Sequence, residues 1–355
     1  MTTVLVTGAG GSAAANVVDS LRLSDVGYRI VGVDTNAVNL HLSTADERML
    51  IPRADDPGYA DALRRVVELF GADVLHPQPD PDVRAIGEIR DQLRVRTYLP
   101  AQSVLTLVAD KSRFADAMRA AGVSVPDTVG FESVSDVASG VERLLGDHRR
   151  VWIRARAGAG ARASLPVSTP AQAVHWIDWW VTEKGFHPRD FMASAMLPGR
   201  EFAYQSVWQD GGLIAGQARE RLVYLYGHLT PHGQTSTPAV ARTVCNPDVD
   251  SIACAAIQAV DPSPRGAYCV DLKESADGRP MVTEINAGRF FTTSNFFAHA
   301  GLNMPDLLVR CALGEKLSGS PSSPLEPDLY WVRMVDMGYR LVRGEDMHVW
   351  RSATA

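Results

Sequence analysis

Alternating strand and helix patterns fill the first third of the chain and limit the folds that it can adopt. Four short runs are predicted as strands: Val4–Val6, Ile30–Val33, Asp73–Leu75 and Arg96–Leu99. Helical patterns separate them, and the clearest runs from Tyr59 to Phe70. Buried strands joined by helices are typical of parallel sheets with helices on their faces. We therefore expect an α/β protein with a parallel-sheet domain over residues 1–109.

A glycine-rich turn follows the first predicted strand, at Thr7–Ala13. It matches G-x-G-x-x-A, and Asp34 stands at the end of the next strand. In a dinucleotide site such glycines let the backbone approach a pyrophosphate, and the acid binds a ribose hydroxyl. Many α/β domains need the same tight turn without any ligand, and we find no Tyr-x-x-x-Lys pair for hydride chemistry. Both interpretations stay open on this segment alone.

A predicted hairpin nearer the C-terminus carries three oxygen-bearing side chains. Asp271 lies on its first strand, the turn Ser275–Gly278 reverses the chain, and Glu284 and Asn286 follow on the second strand. Side chains two residues apart share a strand face, so Glu284 and Asn286 project together while Ile285 points into the core. Magnesium prefers such oxygen ligands. The competing interpretation is a surface hairpin with a polar face.

Cations suited to phosphate binding precede this hairpin. Arg154 ends a predicted strand before the small-residue loop Ala155–Ala163, which also carries Arg156 and Arg162. The backbone N–H groups of such a loop can close over phosphates, and a guanidinium can make paired hydrogen bonds to them. Lys111 begins a predicted helix, from which its ammonium can reach a phosphate. Each of these residues, taken alone, is equally typical of a solvated surface.

Two more polar residues are candidates for nucleotide contacts. Glu201 begins a predicted strand after the turn Pro198–Gly199, and its carboxylate is suited to a pair of ribose hydroxyls. His232 lies in the polar loop Thr230–Ser236, from which it can contact phosphate. Alone, each is more typical of an exposed residue.

Composition excludes several classes of protein. The chain of 355 residues has a net charge of -6, which argues against nonspecific nucleic-acid binding through Lys and Arg. No run is long and apolar enough to predict a membrane span, and the N-terminus lacks the basic leader of a signal peptide. The four cysteines form no CxxC pair and are expected to be reduced core residues. We expect a cytoplasmic enzyme.

Taken in order, these segments resemble the ATP-grasp family, in particular its carbamoyl-phosphate-synthetase-like branch. The resemblance covers most of the chain through the glycine turn and five further segments: ADKSRFADAMRAAGVSVP, VWIRARAGAGARA, MLPGREF, PHGQTSTP and TEINAGRFFTTSNFFAHAGLNMPDLL. It implies a Rossmann-like pre-ATP-grasp domain followed by the ATP-grasp fold. The implied domains are residues 1–109, a small subdomain with the phosphate loop at 110–190, a subdomain with the magnesium site at 191–315, and a linker with a C-terminal extension at 316–355.

The resemblance also implies roles for the nucleotide-contacting residues. Lys111 and Arg154 match the residues that hold the phosphates. Glu201 resembles the ribose-binding acid, Met196 lines the adenine pocket, and His232 matches a phosphate-contacting histidine.

The metal and catalytic residues are implied in the same way. Glu284 and Asn286 match the magnesium pair, Asp271 falls near the third ligand, and Arg289 resembles the arginine that steadies the transferred phosphoryl group together with Arg154. Two magnesium ions are implied, with Mn²⁺ as a substitute. Two departures stand out. Ser194 replaces a common acidic residue, and Arg289 lies one position further from the pair than usual.

The implied reaction is ATP-dependent ligation of a carboxylate to an amine through an acyl phosphate. The partners would be two small molecules, amino acids among them, with no nucleic acid or membrane, and a homodimer is a further expectation. Alternatives are a kinase that stops at an acyl or carbamoyl phosphate, an NAD(P)-dependent oxidoreductase, and a nucleotide-binding regulatory protein without catalysis. Phe290–Thr293 is predicted either to line the acceptor pocket or to belong to the core.

Overall fold

The computed structural model describes residues 1–158, 163–235, 237–335 and 338–346, and it begins with a parallel sheet. Its four strands lie in the order β3-β2-β1-β4 and are Thr3–Thr7 (β1), Arg29–Asp34 (β2), Glu47–Leu50 (β3) and Val74–His76 (β4). The helices of this part are Ser12–Arg22 (α1), Ala37–Leu40 (α2), Tyr59–Phe70 (α3), Asp80–Ile89 (α4) and Gln102–Ala109 (α5). The neighbours of β1 on both sides are parallel to it, as predicted.

The predicted strand Arg96–Leu99 was wrong. Within it only Arg96 makes a strand-like bridge, to Val74 of β4. The side chain of Arg90 donates to the carbonyls of Leu99 and Pro100, at 3.3 and 2.8 Å. These carbonyls are therefore bound by a guanidinium rather than by a neighbouring strand, and Pro100 has no N–H to donate.

A small antiparallel sheet forms the second part of the molecule. After Lys111–Ala120 (α6), its strands lie in the order β5-β8-β6-β7 and are Thr128–Gly130 (β5), Val151–Ala155 (β6), Leu165–Val167 (β7) and Phe191–Ala195 (β8). Two helices cover it, Val134–Asp147 (α7) and Pro170–Lys184 (α8). Ser133 and Asp136 form a capping box at the start of α7, which fixes where that helix begins.

A seven-stranded antiparallel sheet forms the third part, in the order β13-β12-β9-β10-β11-β14-β15. Its strands are Glu201–Gln209 (β9), Gly212–Tyr224 (β10), Pro238–Val244 (β11), Gly266–Glu274 (β12), Pro280–Ala287 (β13), Leu329–Met334 (β14) and Gly338–Arg343 (β15). The accompanying helices are Pro247–Val260 (α9), Asn295–His299 (α10) and Met304–Ala312 (α11). The predicted final strand pair at 329–350 corresponds to β14 and β15, and residues 347–350 lie outside the described part.

The segment predicted as a linker, residues 316–327, lies against the large sheet. The backbone N–H of Ser320 donates to Ile214 at 2.9 Å, and that of Ser323 donates to Gly216 at 2.8 Å. The segment therefore runs beside the first half of β10, where β11 makes no pairs. The following strand β14 then pairs with β11.

Clusters of buried side chains show which parts of the molecule pack together. Leu5 of β1, Phe114 of α6 and Phe202 of β9 belong to one cluster of buried side chains, so the N-terminal domain and the large sheet share a core. The small sheet has its own core, which includes Phe131 and Ile177. Helix α6 therefore packs in the core that the N-terminal domain and the large sheet share, called the main core below. The predicted domain boundaries remain a prediction.

The structure shows how deeply the cysteines are buried and whether the described helices could cross a membrane. Cys269 and Cys311 are buried as predicted, but Cys245 is exposed and does not belong to the core. Cys245 directly follows β11, at the point where the chain leaves the sheet before α9. Its apolar neighbours along the chain therefore do not bury its side chain. None of the helices in the described part of the chain has the length and apolar character needed to cross a membrane.

Candidate active site

One cavity of about 610 Å³ lies where the three parts of the molecule meet. Its wall includes Pro79 from the N-terminal domain, Trp152 from the small sheet and Leu272 from the large sheet. All nine predicted site residues line it: Lys111, Arg154, Met196, Glu201, His232, Asp271, Glu284, Asn286 and Arg289. The structure brings the whole predicted set together, while the role of each residue stays a prediction.

The β12–β13 hairpin positions the predicted metal ligands. Gly278, at φ +80°, provides the left-handed residue of its turn. Asp271 and Glu284 are direct partners across the two strands, and an irregularity in the pairing follows Asp271. Ile285 is buried in the main core, so Glu284 and Asn286 share the opposite face, as the period of two predicts.

Asp271 is engaged by two neighbours. Its Oδ1 lies 2.5 Å from Nη2 of Arg221 on β10, and its Oδ2 accepts a hydrogen bond of 3.2 Å from the Asn286 amide. Burial raises the pKa of Asp271, Arg221 opposes that rise, and the nearby Glu284 carboxylate adds to it. The carboxylate and the guanidinium therefore depend on each other for their charges.

Glu284 has a different environment. Its Oε2 lies 3.4 Å from Nζ of Lys111 and 4.0 Å from Nη1 of Arg154, and it accepts no hydrogen bond from the described residues. A partly buried carboxylate with free lone pairs, beside a second carboxylate and an amide oxygen, fits a divalent cation. Glu284, Asp271 and Asn286 thus form a donor set suited to magnesium.

Local structure holds the two predicted phosphate cations. Lys111 is buried at the first position of α6, and its Nζ also donates to the carbonyl of Gly158 at 2.7 Å. Arg154 at the end of β6 donates to the carbonyl of Thr283 at 3.0 Å. Burial lowers the pKa of Arg154, and Glu284 opposes that change. Both cations point at the strand that carries Glu284.

The phosphate loop is only partly described. Ala155, Ala157 and Gly158 line the cavity, and residues 159–162, including Arg162, lie outside the described residues. Arg156, the first arginine of this loop, does not line the cavity. It pairs at 2.8 Å with Asp110, the residue that caps α6. A carboxylate at a helix start attracts this arginine away from the cavity.

Glu201, the predicted ribose-binding acid, has partners at both oxygens. Its Oε1 accepts a short hydrogen bond from the Tyr224 hydroxyl and lies 3.4 Å from Arg221. Its Oε2 accepts from the Gln234 amide at 2.7 Å and lies 3.6 Å from Lys273. Four side chains from β10, β12 and the loop after β10 thus fix one carboxylate at the edge of the cavity.

An apolar region adjoins Glu201. Met196 and Leu197 line it beside Trp152, whose ring packs edge-on against His232 at 4.8 Å. Burial lowers the pKa of His232, so burial favours its neutral form. Ser194, the departure noted in the sequence, is buried on β8 and also lines the cavity.

Arg289 closes the opposite end. Its guanidinium pairs with Asp80 at the start of α4 and donates to the amide oxygen of Asn286. Burial lowers the pKa of Arg289, but Asp80 outweighs that effect and the pKa is raised. The following segment divides between the two predicted roles, because Phe291 lines the cavity whereas Phe290 is fully buried in a core.

Five side chains that pair with the predicted residues in this cavity were not themselves predicted from the sequence: Asp80, Arg221, Tyr224, Gln234 and Lys273. One pattern in the sequence does point to Arg221. It alternates with Arg219 along β10, and charged residues with a period of two mark one strand face. The other four cannot be found in this way, because each pairs with a residue that is distant along the chain.

The glycine turn after β1 is closed in this structure. A Cβ on Gly10 would lie 2.4 Å from the backbone of Asn39 in α2, and one on Gly8 would lie 2.5 Å from Pro79. The carboxylate of Asp34 accepts hydrogen bonds from the backbone N–H groups of Gly10 and Asn36, both at 2.8 Å. The glycines therefore allow close packing of the chain itself, which favours a structural turn over a dinucleotide site.

Comparison with known proteins gives matches among solved structures only. No protein-family model matches the chain, and no curated protein sequence matches it. The chain is similar to an L-amino acid ligase from Bacillus licheniformis, with a TM-score of 0.72 and 13% identity over 93% of this chain and 79% of that one. It is also similar to an N5-carboxyaminoimidazole synthetase from Staphylococcus aureus complexed with ADP, with a TM-score of 0.71 and 14% identity over 94% and 82%.

A third similar structure is the biotin carboxylase domain dimer of the Hydrogenobacter thermophilus 2-oxoglutarate carboxylase, in complex with MgADP, ADP and bicarbonate. Its TM-score is 0.71, at 17% identity over 93% of this chain and 73% of that one. At such identities the likeness shows a shared fold over nearly the whole chain.

Proposed function

We propose, from the ATP-grasp fold that the sequence predicted and these structures confirm, that the chain is an ATP- and magnesium-dependent ligase joining a carboxylate to an amine. The observation that carries the proposal is the contact of Lys111 and Arg154 with Glu284 in one cavity. Cations for phosphate and oxygen ligands for a metal meet there, beside an apolar region that Met196 and Leu197 line. The names of the similar proteins, an amino acid ligase and two structures with bound nucleotide, support it.

Magnesium would be held chiefly by Glu284, with Asn286 and Asp271 beside it. When bound, it supplies positive charge that lets a carboxylate approach the negatively charged triphosphate. The similar structure with MgADP supports this choice of metal. Mn²⁺ has the same preference for oxygen ligands and is expected to substitute.

The chain's own residues would then divide the work by position. Lys111 and Arg154 would bind the phosphates, and Glu201 would accept hydrogen bonds from the ribose hydroxyls. Met196 would contact the adenine beside Leu197. The apolar walls exclude water, which strengthens each of these charged contacts.

The proposed reaction has two steps. A carboxylate oxygen attacks the γ-phosphorus, the bond from that phosphorus to the β–γ bridging oxygen breaks, and ADP leaves. The amine nitrogen then attacks the acyl carbon, the carbon–oxygen bond to phosphate breaks, and the nitrogen loses a proton to solvent. Arg289 would neutralise the charge that develops on the acyl phosphate, as preorganised cations do in phosphoryl transfer.

A two-substrate screen tests this function. Purified protein is incubated with ATP, Mg²⁺ and pairs of acids and amines, starting with amino acids, and ADP release and product mass are recorded. We expect ADP release that needs both an acid and an amine, with a product mass equal to their sum less one water.

Other outcomes of the screen separate the alternatives. ADP release with an acid alone, and no amide, would indicate a kinase that makes an acyl phosphate. Nucleotide binding without turnover for any pair would indicate a regulatory protein. An absorbance change with NAD(P)H would favour an oxidoreductase. A homodimer stays a separate proposal, which light scattering tests.

A further inference from the structure

We propose that the guanidinium of Arg221 takes the place of one of the two metal ions expected at this site, so that a single divalent cation binds with the nucleotide. The inference rests on the proposed function, because it concerns the same metal and nucleotide site. It departs from the sequence-based expectation of two ions.

Arg221 reaches the metal ligands from a neighbouring part of the large sheet. Arg221, on β10, is paired directly with Glu201 of the neighbouring strand β9. Two residues further along β9, Ala203 is paired with Arg219 of β10 on one side and with Asp271 of β12 on the other. The Arg221 side chain therefore crosses over the small Ala203 to place Nη2 at 2.5 Å from Oδ1 of Asp271. This side chain is 12% exposed.

Contacts on several sides hold Arg221 in this position. Its guanidinium lies over the ring of Phe291, 5.0 Å from the ring centre, and 3.4 Å from the Glu201 carboxylate. Phe291 is itself buried, and Arg219 lies over the same ring at 5.1 Å. Removing the guanidinium from Asp271 would break a stacking contact and two charge contacts at once, so Arg221 is a fixed cation.

The donor oxygens around Arg221 are already engaged. Oδ2 of Asp271 accepts from the Asn286 amide, and Oδ1 of Asn286 accepts from Arg289. Of the three predicted metal ligands, only Glu284 accepts no hydrogen bond from the described residues.

The charges around Asp271 favour one bound divalent cation over two. A divalent cation beside Glu284 is attracted by that carboxylate and by the nucleotide phosphates. A second divalent cation beside Asp271 would lie next to the Arg221 guanidinium in a region of low dielectric, where like charges repel strongly. The fixed guanidinium already neutralises Asp271, so the second ion gains little and meets a repulsive charge.

Counting bound Mn²⁺ tests the inference directly. Wild-type protein with a saturating non-hydrolysable β,γ-imido analogue of ATP is titrated with Mn²⁺, and free Mn²⁺ is followed by electron paramagnetic resonance. We expect one analogue-dependent Mn²⁺ per chain. Arg221→Gln, which removes the charge but keeps a polar side chain, is expected to bind two, and Arg221→Lys one.

Lys273→Gln is the matched control, because Lys273 is another cavity cation that contacts Glu201. It is expected to bind one Mn²⁺ per chain. Two Mn²⁺ in the wild type, or one in Arg221→Gln with the analogue still bound, would overturn the inference. If Arg221→Gln does not fold, the wild-type resonance decides, since a spin-coupled Mn²⁺ pair would contradict a single site. Failure of the wild type to bind the analogue would instead contradict the proposed function.

Discussion

Lys111 Nζ lies 3.4 Å from Glu284 Oε2, and this contact joins the first residue of α6 to the strand that carries the predicted metal ligands. Both side chains are largely buried, so each compensates the charge of the other when no ligand is bound. In the proposed reaction, a metal–nucleotide complex would supply better partners for both groups, because the metal would replace the ammonium and the phosphates would replace the carboxylate. The pair would therefore hold the two halves of the site in place before binding.

Glu284→Ala is expected to abolish turnover and leave the fold intact, because the change removes a metal ligand and no core packing. ADP release should fall by at least about 100-fold, while the protein stays folded with a lowered melting temperature, because Lys111 loses its buried partner. Asp277→Ala, an exposed acid in the turn of the same hairpin, is the control and should retain activity. Wild-type ADP release in Glu284→Ala would refute the assignment of this residue.

Tyr224→Phe is expected to raise the KM for ATP by about 3- to 10-fold, since it removes one hydrogen bond to the Glu201 carboxylate. Glu201→Gln should raise it further, because it also removes the charge that Arg221 and Lys273 contact. Steady-state kinetics over a range of ATP concentrations measure both effects. Tyr226→Phe, in the exposed turn that follows, serves as the control. A larger effect on kcat than on KM would argue against a binding role.

Asp34→Ala should leave ATP turnover almost unchanged but weaken the N-terminal domain. The change leaves the N–H groups of Gly10 and Asn36 without their carboxylate partner, at a cost of about 1 to 3 kcal/mol in the free energy of unfolding. Urea unfolding measures this cost, and the exposed Asp25→Ala provides the comparison. A large loss of turnover in a folded Asp34→Ala protein would show that this turn takes part in the reaction.

His76 makes the stability of the chain depend on pH. Burial lowers its pKa from 6.5 to about 4, so the folded state keeps the ring neutral while the unfolded state takes up a proton below pH 6.5. The wild type should therefore lose up to about 3 kcal/mol of stability between pH 6.5 and 4, relative to His76→Gln. Urea unfolding at several pH values measures the difference. His41→Gln, on the surface, should follow the wild type.

Local patterns in the sequence predicted much of the site. The period of two that placed Glu284 and Asn286 on one face needs only the geometry of a single strand, and the hairpin turn brought Asp271 beside them. Lys111 and Arg154 were found at the ends of elements whose boundaries the sequence marks well. For these residues, neighbours along the chain decide which way the side chain points.

Contacts between distant strands were not predictable in this way. Arg221 meets Asp271 only because β9 separates β10 from β12 in the sheet, an order that differs from the order along the chain. Tyr224 reaches Glu201 across the long β9–β10 pair and Gln234 reaches it from the loop after β10, and both contacts depend on where the chain turns back. The segment at 316–327 looks like a linker because it lacks periodicity, yet the unpaired half of β10 binds it.

The separate core of the small sheet has a mechanical consequence. The chain enters the small sheet after Pro126 and leaves it at Met196, whereas Gln78 of the N-terminal domain binds both the N–H and the carbonyl of Phe290 beside the large sheet. The N-terminal domain and the large sheet therefore form one packed unit. A motion that opened the cavity would turn the small sheet about these two connections and would carry Arg154 away from Glu284.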